Sequence, residues 1–250
     1  MQIILAIILV IILIYFIKKE IDAKNMAEES FISIVNHTFR TPLTNIKWMS
    51  EALSKGMSPE EQKQMSQNLE NSTNRLLGII DTLAGIKDIH NSAAYELKAV
   101  SINELVVDSI RRYRIPLNEK KINLSLPTLK DIPLLSIDTK KISFVIQVIL
   151  ENAILYSKEN GSVMIYTEIY KNSLILSIED NGIGLSHKDK RNIFKRFYRG
   201  EIAKKMNTDG MGLGLYMSKE IIRRHKGRIK AFSKGVDQGT TFYIILPIKK

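Results

Sequence analysis

His37 stands in the stretch NHTFRTPLT, five residues ahead of Pro42, inside a pattern that otherwise reads as a long amphipathic helix. A proline inside a helix costs about 3 kcal/mol, because it removes a hydrogen bond and its ring crowds the preceding turn. A turn loosened in this way, beside an imidazole that titrates near neutrality, suits a histidine that must enter another site as a nucleophile. On spacing alone a plain surface histidine is the better reading. The downstream glycines decide otherwise. DNGIGL carries Asp180, Gly182 and Gly184; GMGLGL carries Gly210, Gly212 and Gly214; GTTF carries Gly239 and Thr240. Glycines so placed let backbone close on a ligand. A helix starting after GMGLGL presents free amides and a positive dipole end to phosphate. With Asn152 on an upstream helix, these turns form one constellation.

Periodicity gives the elements that must position these residues. Between 21 and 53 the chain has no glycine and a single proline. Apolar positions recur at Ile32, Val35, Phe39, Pro42, Ile46, Met49 and Leu53, in alternating steps of three and four, which is a heptad seam. With Ile32 at position a, His37 falls at f, away from the seam, and Thr41 and Thr44 follow it on the same side. Gly56 interrupts the pattern and SPEE restarts it: Ser58 caps, Pro59 takes the first helical position and Glu61 completes a capping box. The second helix is expected to reach about His90, on a seam of Met65, Leu69, Leu76, Ile79 or Ile80, Leu83 and Ile86, with Ser72 as its weak point. A short loop makes the two helices antiparallel neighbours. Two such hairpins close a four-helix bundle, so a homodimer is expected; the alternative is a hairpin packed on the downstream domain.

From Tyr95 the texture changes. ELKAV reads as a strand, and Ser101 caps a helix to about Asn118. INLSL and LLSI read as strands, and Asp138 caps a helix to about Tyr156. VMIYTEIY and LILSIED form a hairpin about Lys171 to Ser173. A helix over about 213–225 precedes the strands GRIKAFS and TTFYIILPI. Helices mixed with antiparallel strands give an α+β two-layer sandwich. The domains are then 1–19, an anchor; 20–92, a helical hairpin; and 95–250, the sandwich.

The chain has no cysteine, which excludes disulfides and Cys-based zinc sites. Its formal net charge of +11 fits a generally basic surface or a polyanionic ligand. No nucleic-acid recognition motif accompanies that charge. Ile3 to Ile17 is apolar all round, without charge, and Lys18 and Lys19 follow at once. That run spans roughly 23 Å as a helix, and its flanks lack the pattern of a cleaved signal peptide. It reads as a single-pass transmembrane anchor in the cytoplasmic (inner) membrane, with the rest of the chain cytoplasmic by the positive-inside rule.

Taken in order, these motifs resemble those of the bacterial sensor histidine kinases, with a dimerisation and phosphoacceptor hairpin followed by a Bergerat-type ATP-binding domain. HTFRTPL resembles the phosphoacceptor box, LENAILYS the N box, and DNGIGL, IFKRFYRG and GMGLGLYMSK the G1, F and G2 boxes; GTTF resembles the last glycine box. The resemblance implies an ATP-dependent protein-histidine kinase. His37 would take the γ-phosphoryl of ATP and pass it to an aspartate of a response regulator receiver domain. Asn152 would hold Mg²⁺ through its amide oxygen. Asp180 would accept from the adenine amino group, and Tyr156 would stack on the base. Gly182 and Gly184 would shape that end. Gly210, Gly212, Leu213 and Gly214 would give amides to the phosphates, and Thr240 would sit in the same pocket. A basic lid over 186–209 would cover the ligand, with Arg196 and Arg199 touching phosphate and Phe194 and Phe197 anchoring it. Thr41 would orient water for dephosphorylating the regulator.

Three positions depart from the family pattern. Thr38 replaces the acidic residue after the histidine, Val148 the first asparagine of the N box, and Leu155 the lysine before Tyr156. These departures keep a second reading open, a degenerate or phosphatase-biased nucleotide-binding adaptor with weak autokinase activity. Only about a dozen residues separate the anchor from the histidine helix. A stimulus is therefore expected through the membrane segment, from a partner membrane protein or from the bilayer.

Overall fold

The computed structural model describes residues 33, 35–36, 38–53, 58–89, 95–127, 132–207 and 210–248. Residues 1–19, expected as an anchor, and His37 lie outside the described residues. Among the described residues no helix is long and apolar enough to cross a membrane. The chain divides into two compact units between Ile79 and Ile80.

In the first unit, helix α1 covers 38–53 and helix α2 starts at Pro59, running to Ile89. The break between them is built as its sequence demands. Ser58 N and Oγ donate to Glu61 Oε2 at 2.9 and 2.7 Å, and Glu61 N donates back to Ser58 Oγ at 3.3 Å. Two orphan donors at the start of α2 are satisfied reciprocally. Those bonds, from the Ser58 side chain first, hold the Glu61 carboxyl below its ordinary pKa. Along the seam, Pro42 is buried and Val35, Phe39, Ile46, Met49, Met65, Leu69, Ser72 and Leu76 are half-buried. Ile79 takes the inner position at 6% exposure and Ile80 the outer at 49%. Two positions differ from the heptad expectation. Leu53 is exposed, and Thr38 is buried, so the inner face of α1 is wider than an a/d stripe. Leu43, Trp48 and Leu77 stay exposed.

The second unit holds a five-stranded sheet in the order β2-β4-β5-β7-β6, together with a small antiparallel pair, β1 and β3. The strands are β1 Leu97–Val100, β2 Asn123–Ser125, β3 Leu135–Asp138, β4 Ser162–Tyr170, β5 Ser173–Asp180, β6 Arg228–Phe232 and β7 Thr240–Pro247. Alternation buries Val163 and Ile165 of β4, Leu174, Leu176 and Ile178 of β5, and Phe242, Ile244 and Leu246 of β7. Helices α3 (Ile102–Arg112), α5 (Thr139–Tyr156) and α8 (Gly214–Arg224) contribute the facing core residues, among them Val106, Ile146 and Ile222. Ser177, on the other face of β5, is also buried, because its cross-strand neighbours are Tyr166 and Tyr243. This is the α+β sandwich expected, with one change. β2 pairs with β4 in parallel, while the remaining pairs are antiparallel.

Two local expectations are corrected. The helix over 101–118 is two helices, α3 and α4 (Arg114–Glu119), broken at Tyr113. Pro116 cannot bond the Arg112 carbonyl four residues back, and its ring would clash there. Ser101 occupies the cap position but makes no side-chain cap bond. Asp138 does cap α5, accepting from Lys141 N at 3.0 Å.

Candidate functional site

α5 is the spine of the site. Asp138 fixes its start, and the steps of three and four along one face bring Phe144, Val148, Glu151, Asn152, Leu155 and Tyr156 to a cavity of about 330 Å³. The sheet adds Asp180 from the end of β5, and Thr240 and Phe242 from β7, where Asp180 and Thr240 are register partners. The loop after β5 adds Ile183, Gly184 and Leu185, and the turn into α8 adds residues 210–215. Thus Asn152, Tyr156, Asp180, Gly184, Arg199, Gly210, Gly212, Leu213, Gly214 and Thr240 line one cavity. Gly182 stands behind the lining and is buried. A Cβ there would run into the Tyr156 carbonyl, so a glycine is needed for the turn to approach α5. Thr41 is half-buried in the first unit.

Asp180 is 7% exposed. Its Oδ1 accepts from Gly182 N at 2.9 Å, and the backbone of Thr240 also donates to the carboxylate. Burial outweighs these bonds and raises its pKa from 3.8 to about 6. A carboxylate held this way is poised to accept one more donor at neutral pH. Asn152 spends its amide nitrogen on the Val148 carbonyl at 2.7 Å, which turns Oδ1 away from its own helix as an acceptor. That arrangement fits a magnesium ligand. Among the described residues no cluster of three acidic or histidine side chains could hold a metal. A cation here would therefore share Asn152 with the ligand's own oxygens.

The segment after β5 folds as two short helices, α6 (His187–Asn192) and α7 (Glu201–Met206). A capping box starts α6: Asp189 N donates to Ser186 Oγ at 3.1 Å, and Ser186 N donates to Asp189 Oδ2 at 3.2 Å. Tyr198 then donates to Asp189 Oδ1 at 2.8 Å, tying the loop between the two helices back to α6. Phe194 meets Phe242 edge-on at 6.4 Å, which anchors the segment to the sheet as expected. Gly212 has φ +69, and a Cβ there would stand 2.7 Å from the Phe197 carbonyl carbon. Its own carbonyl accepts from Phe197 N at 2.9 Å. Only glycine lets the GMGLGL turn lie this close to the backbone of Phe197 and Tyr198.

The basic residues fall differently from expectation. None of the lysines of 186–209 lines the cavity. Arg196 is exposed, lies outside the lining, and sets its guanidinium 4.8 Å over the Phe197 ring. Arg199 does line the cavity, but its donors go to protein. They reach Gly210 O at 2.8 Å, Ala203 O at 3.1 Å and the Asn207 carbonyl, with a further bond to the Tyr156 hydroxyl. The orphan carbonyls at the end of α7 attract that cation. Val148 packs against Gly214 at the start of α8, with Cγ1 3.0 Å from where a Cβ would stand. No side chain caps α8, and Leu213, Gly214 and Leu215 at its start line the cavity.

Glu151, Asp189 and Tyr198 belong to the lining and were not anticipated. The spacing Ser186-x-x-Asp189 is that of a capping box and is the signal that could have placed Asp189; no such local spacing marks Glu151 or Tyr198. Burial raises the pKa of Glu151, and Tyr113 donates to it at a long 3.4 Å.

Comparison with known proteins gives a consistent picture. Residues 27–88 match the family described as the His Kinase A (phospho-acceptor) domain. Residues 137–250 match the family described as histidine kinase-, DNA gyrase B-, and HSP90-like ATPase. Drug sensory protein A of Synechocystis sp. is 30% identical over 246 residues, covering 93% of this chain and 36% of that protein. Sensor histidine kinase WalK of Bacillus subtilis is 30% identical over 244 residues, covering 92% and 38%. The chain thus spans well under half the length of both. Among solved structures, the Acinetobacter baumannii histidine kinase AdeS superposes with a TM-score of 0.64 at 25% identity, over 86% of this chain and 98% of that one. Histidine kinase ThkA in complex with response regulator protein TrrA shares the fold, with a TM-score of 0.67 at 22% identity, over 88% and 61%.

Proposed function

The chain belongs to the bacterial sensor histidine kinases, and from that premise we propose that it phosphorylates itself on His37 from Mg-ATP and passes the phosphoryl group to an aspartate of a response regulator. The observation that carries this reading is the cavity that unites Asp180, Asn152 and the uncapped start of α8 in one unit. Asp180 offers a buried acceptor to the adenine amino group. Tyr156 walls the base. Asn152 Oδ1 would hold magnesium, which supplies charge neutralisation between the phosphates when bound. The amides at 212–214 face the phosphate chain, where a helix start favours anions. Arg199 acts by shaping the lid.

The phosphate passes from ATP to an imidazole nitrogen of His37, with ADP leaving, and then to the regulator's carboxylate. The match of 27–88 to a phospho-acceptor family supports His37 as the acceptor, and the ThkA–TrrA complex supports a receiver-domain partner. Leu43, Trp48 and Leu77, left exposed on the hairpin helices, support a homodimer that covers part of that surface. The run Ile3 to Ile17 with its two following lysines supports a single-pass membrane anchor, cytoplasmic catalysis, and a stimulus arriving from a membrane partner or the bilayer.

Two observations favour the second reading, a nucleotide-binding adaptor with weak kinase activity. Thr38 is buried and offers no carboxylate beside His37. Val148 puts methyl groups against the start of α8, where the family places an amide. Incubation with γ-labelled ATP separates the readings. The kinase reading expects alkali-stable, acid-labile label in the wild type and none in His37→Ala; an unlabelled wild type that still binds nucleotide leaves the adaptor. Thr38→Glu should raise the labelling rate about 100-fold or more, since a positioned base contributes roughly 10²- to 10⁴-fold. An unchanged rate would assign Thr38 no such role.

A further inference from the structure

We propose that Lys120, a residue between the two family-matched segments, positions the nucleotide-contacting end of α5 by capping its terminal carbonyls from outside the helix. The proposal rests on the nucleotide reading of the cavity. A helix ends with four carbonyls that no residue of its own can satisfy. In α5 these belong to Ala153, Ile154, Leu155 and Tyr156, and each has a partner. Ala153 O accepts from Ser157 N at 3.2 Å and from Ser157 Oγ at 2.6 Å. Tyr156 O accepts from Ile183 N at 3.1 Å. The middle two, Ile154 O and Leu155 O, accept from Lys120 Nζ at 3.0 and 2.7 Å, and the same ammonium reaches Ser157 O at 3.2 Å.

The helix supplies no cation of its own here, for its last turn holds no basic residue. An ammonium donating to three carbonyls at the negative end of a helix is favourable by charge and by hydrogen bonding. The stem that delivers it is fixed. Lys120 caps α4, its carbonyl accepts from Asn160 N at 2.9 Å, and Lys121 follows with φ +51. The carbonyls that Lys120 clamps flank Tyr156, which lines the cavity. The Tyr156 carbonyl in turn receives the Asp180–Gly184 turn through Ile183. A loosened last turn would therefore misplace both Tyr156 and the turn that follows Asp180, though Lys120 itself touches no ligand.

The test uses the purified full chain and ADP, titrated by calorimetry well below the melting temperature. Lys120→Met keeps the stem and removes the donors; its Kd for ADP should rise about tenfold or more. Lys120→Arg should return it to within about threefold of wild type. Lys121→Met, which loses only the exposed pair with Glu159, should bind as wild type does. A residue that merely adds stability would lower the melting temperature in Lys120→Met and leave Kd unmoved, and that result would overturn the proposal. If Lys120→Met does not fold, Lys120→Gln decides: it stays polar, but its shorter stem and uncharged amide cannot reach the three carbonyls that the ammonium bridges. A raised Kd restored in Lys120→Arg supports the clamp; a wild-type Kd overturns it. A wild type that binds no ADP would sink the nucleotide reading itself, whereas equal binding by wild type and Lys120→Met would sink only the role of Lys120.

Discussion

The two ends of the cavity are built on different principles. At the Asp180 end the ligand would meet a fixed, buried charge whose surroundings are satisfied by backbone amides. At the α8 end it would meet backbone and glycine, while the nearby cations either stay outside the lining or hold the lid together. A buried acceptor discriminates, because a ligand lacking the matching donor leaves it unpaired. A glycine turn and a helix start accept any phosphate chain. Selectivity is therefore to be sought at the base, and base-independent phosphate binding at the glycine turn.

The largest effect is expected where the charge is fixed. Asp180→Asn should weaken ADP binding about 100-fold, the scale of a lost buried acceptor facing a donor. Stability should move the other way. The folded carboxyl titrates at about 6 against 3.8 ordinarily, so the native chain binds that proton more readily than the unfolded one. Its contribution to stability falls as pH rises from 3.8 to about 6 and stays low above that, at a cost of up to about 3 kcal/mol. Asp180→Asn should thus hold or raise the melting temperature at pH 8 while binding collapses. In the wild type, ADP affinity should fall as pH drops below about 6, and the fall should be shallower in the variant, where only the terminal phosphate of ADP still titrates in that range. A melting temperature and an affinity that drop together would contradict a buried charge that serves binding at the expense of stability.

An intermediate effect is expected at the other end. Gly212→Ala forces a Cβ into the Phe197 backbone at positive φ, which costs about 1–3 kcal/mol. It should weaken ATP and ADP alike by about tenfold, seen in parallel titrations, without changing base preference. The smallest effect belongs to Arg196→Ala. Its guanidinium rests on Phe197 outside the lining, so the KM for ATP should stay within about twofold. A tenfold rise would restore Arg196 to the phosphates and redraw the lid.

The legible part of the fold was local. Ser58 with Glu61, the cap at Asp138 and the turn about Lys171 each depend on neighbours within four residues, and each forms as its pattern states. The glycine turns were legible because only glycine tolerates such approaches, and they meet in one cavity. What the sequence hid was long-range. Lys120 meets carbonyls 34 to 37 residues away, and no period marks that pairing. Arg199 looked like a phosphate ligand because charge can be read from sequence, whereas the carbonyls that claim it depend on how the lid folds. The burial of Thr38 likewise follows from the width of a helix face rather than from its heptad position.

ADP and GDP carry the same phosphates and differ at the base, where adenine presents an amino donor and guanine a carbonyl acceptor. Calorimetric titration of the wild-type chain with each, at pH 8 with magnesium, isolates the Asp180 end. Tight binding of ADP with GDP at least about 100-fold weaker is the predicted result; equal affinity for the two nucleotides would contradict it.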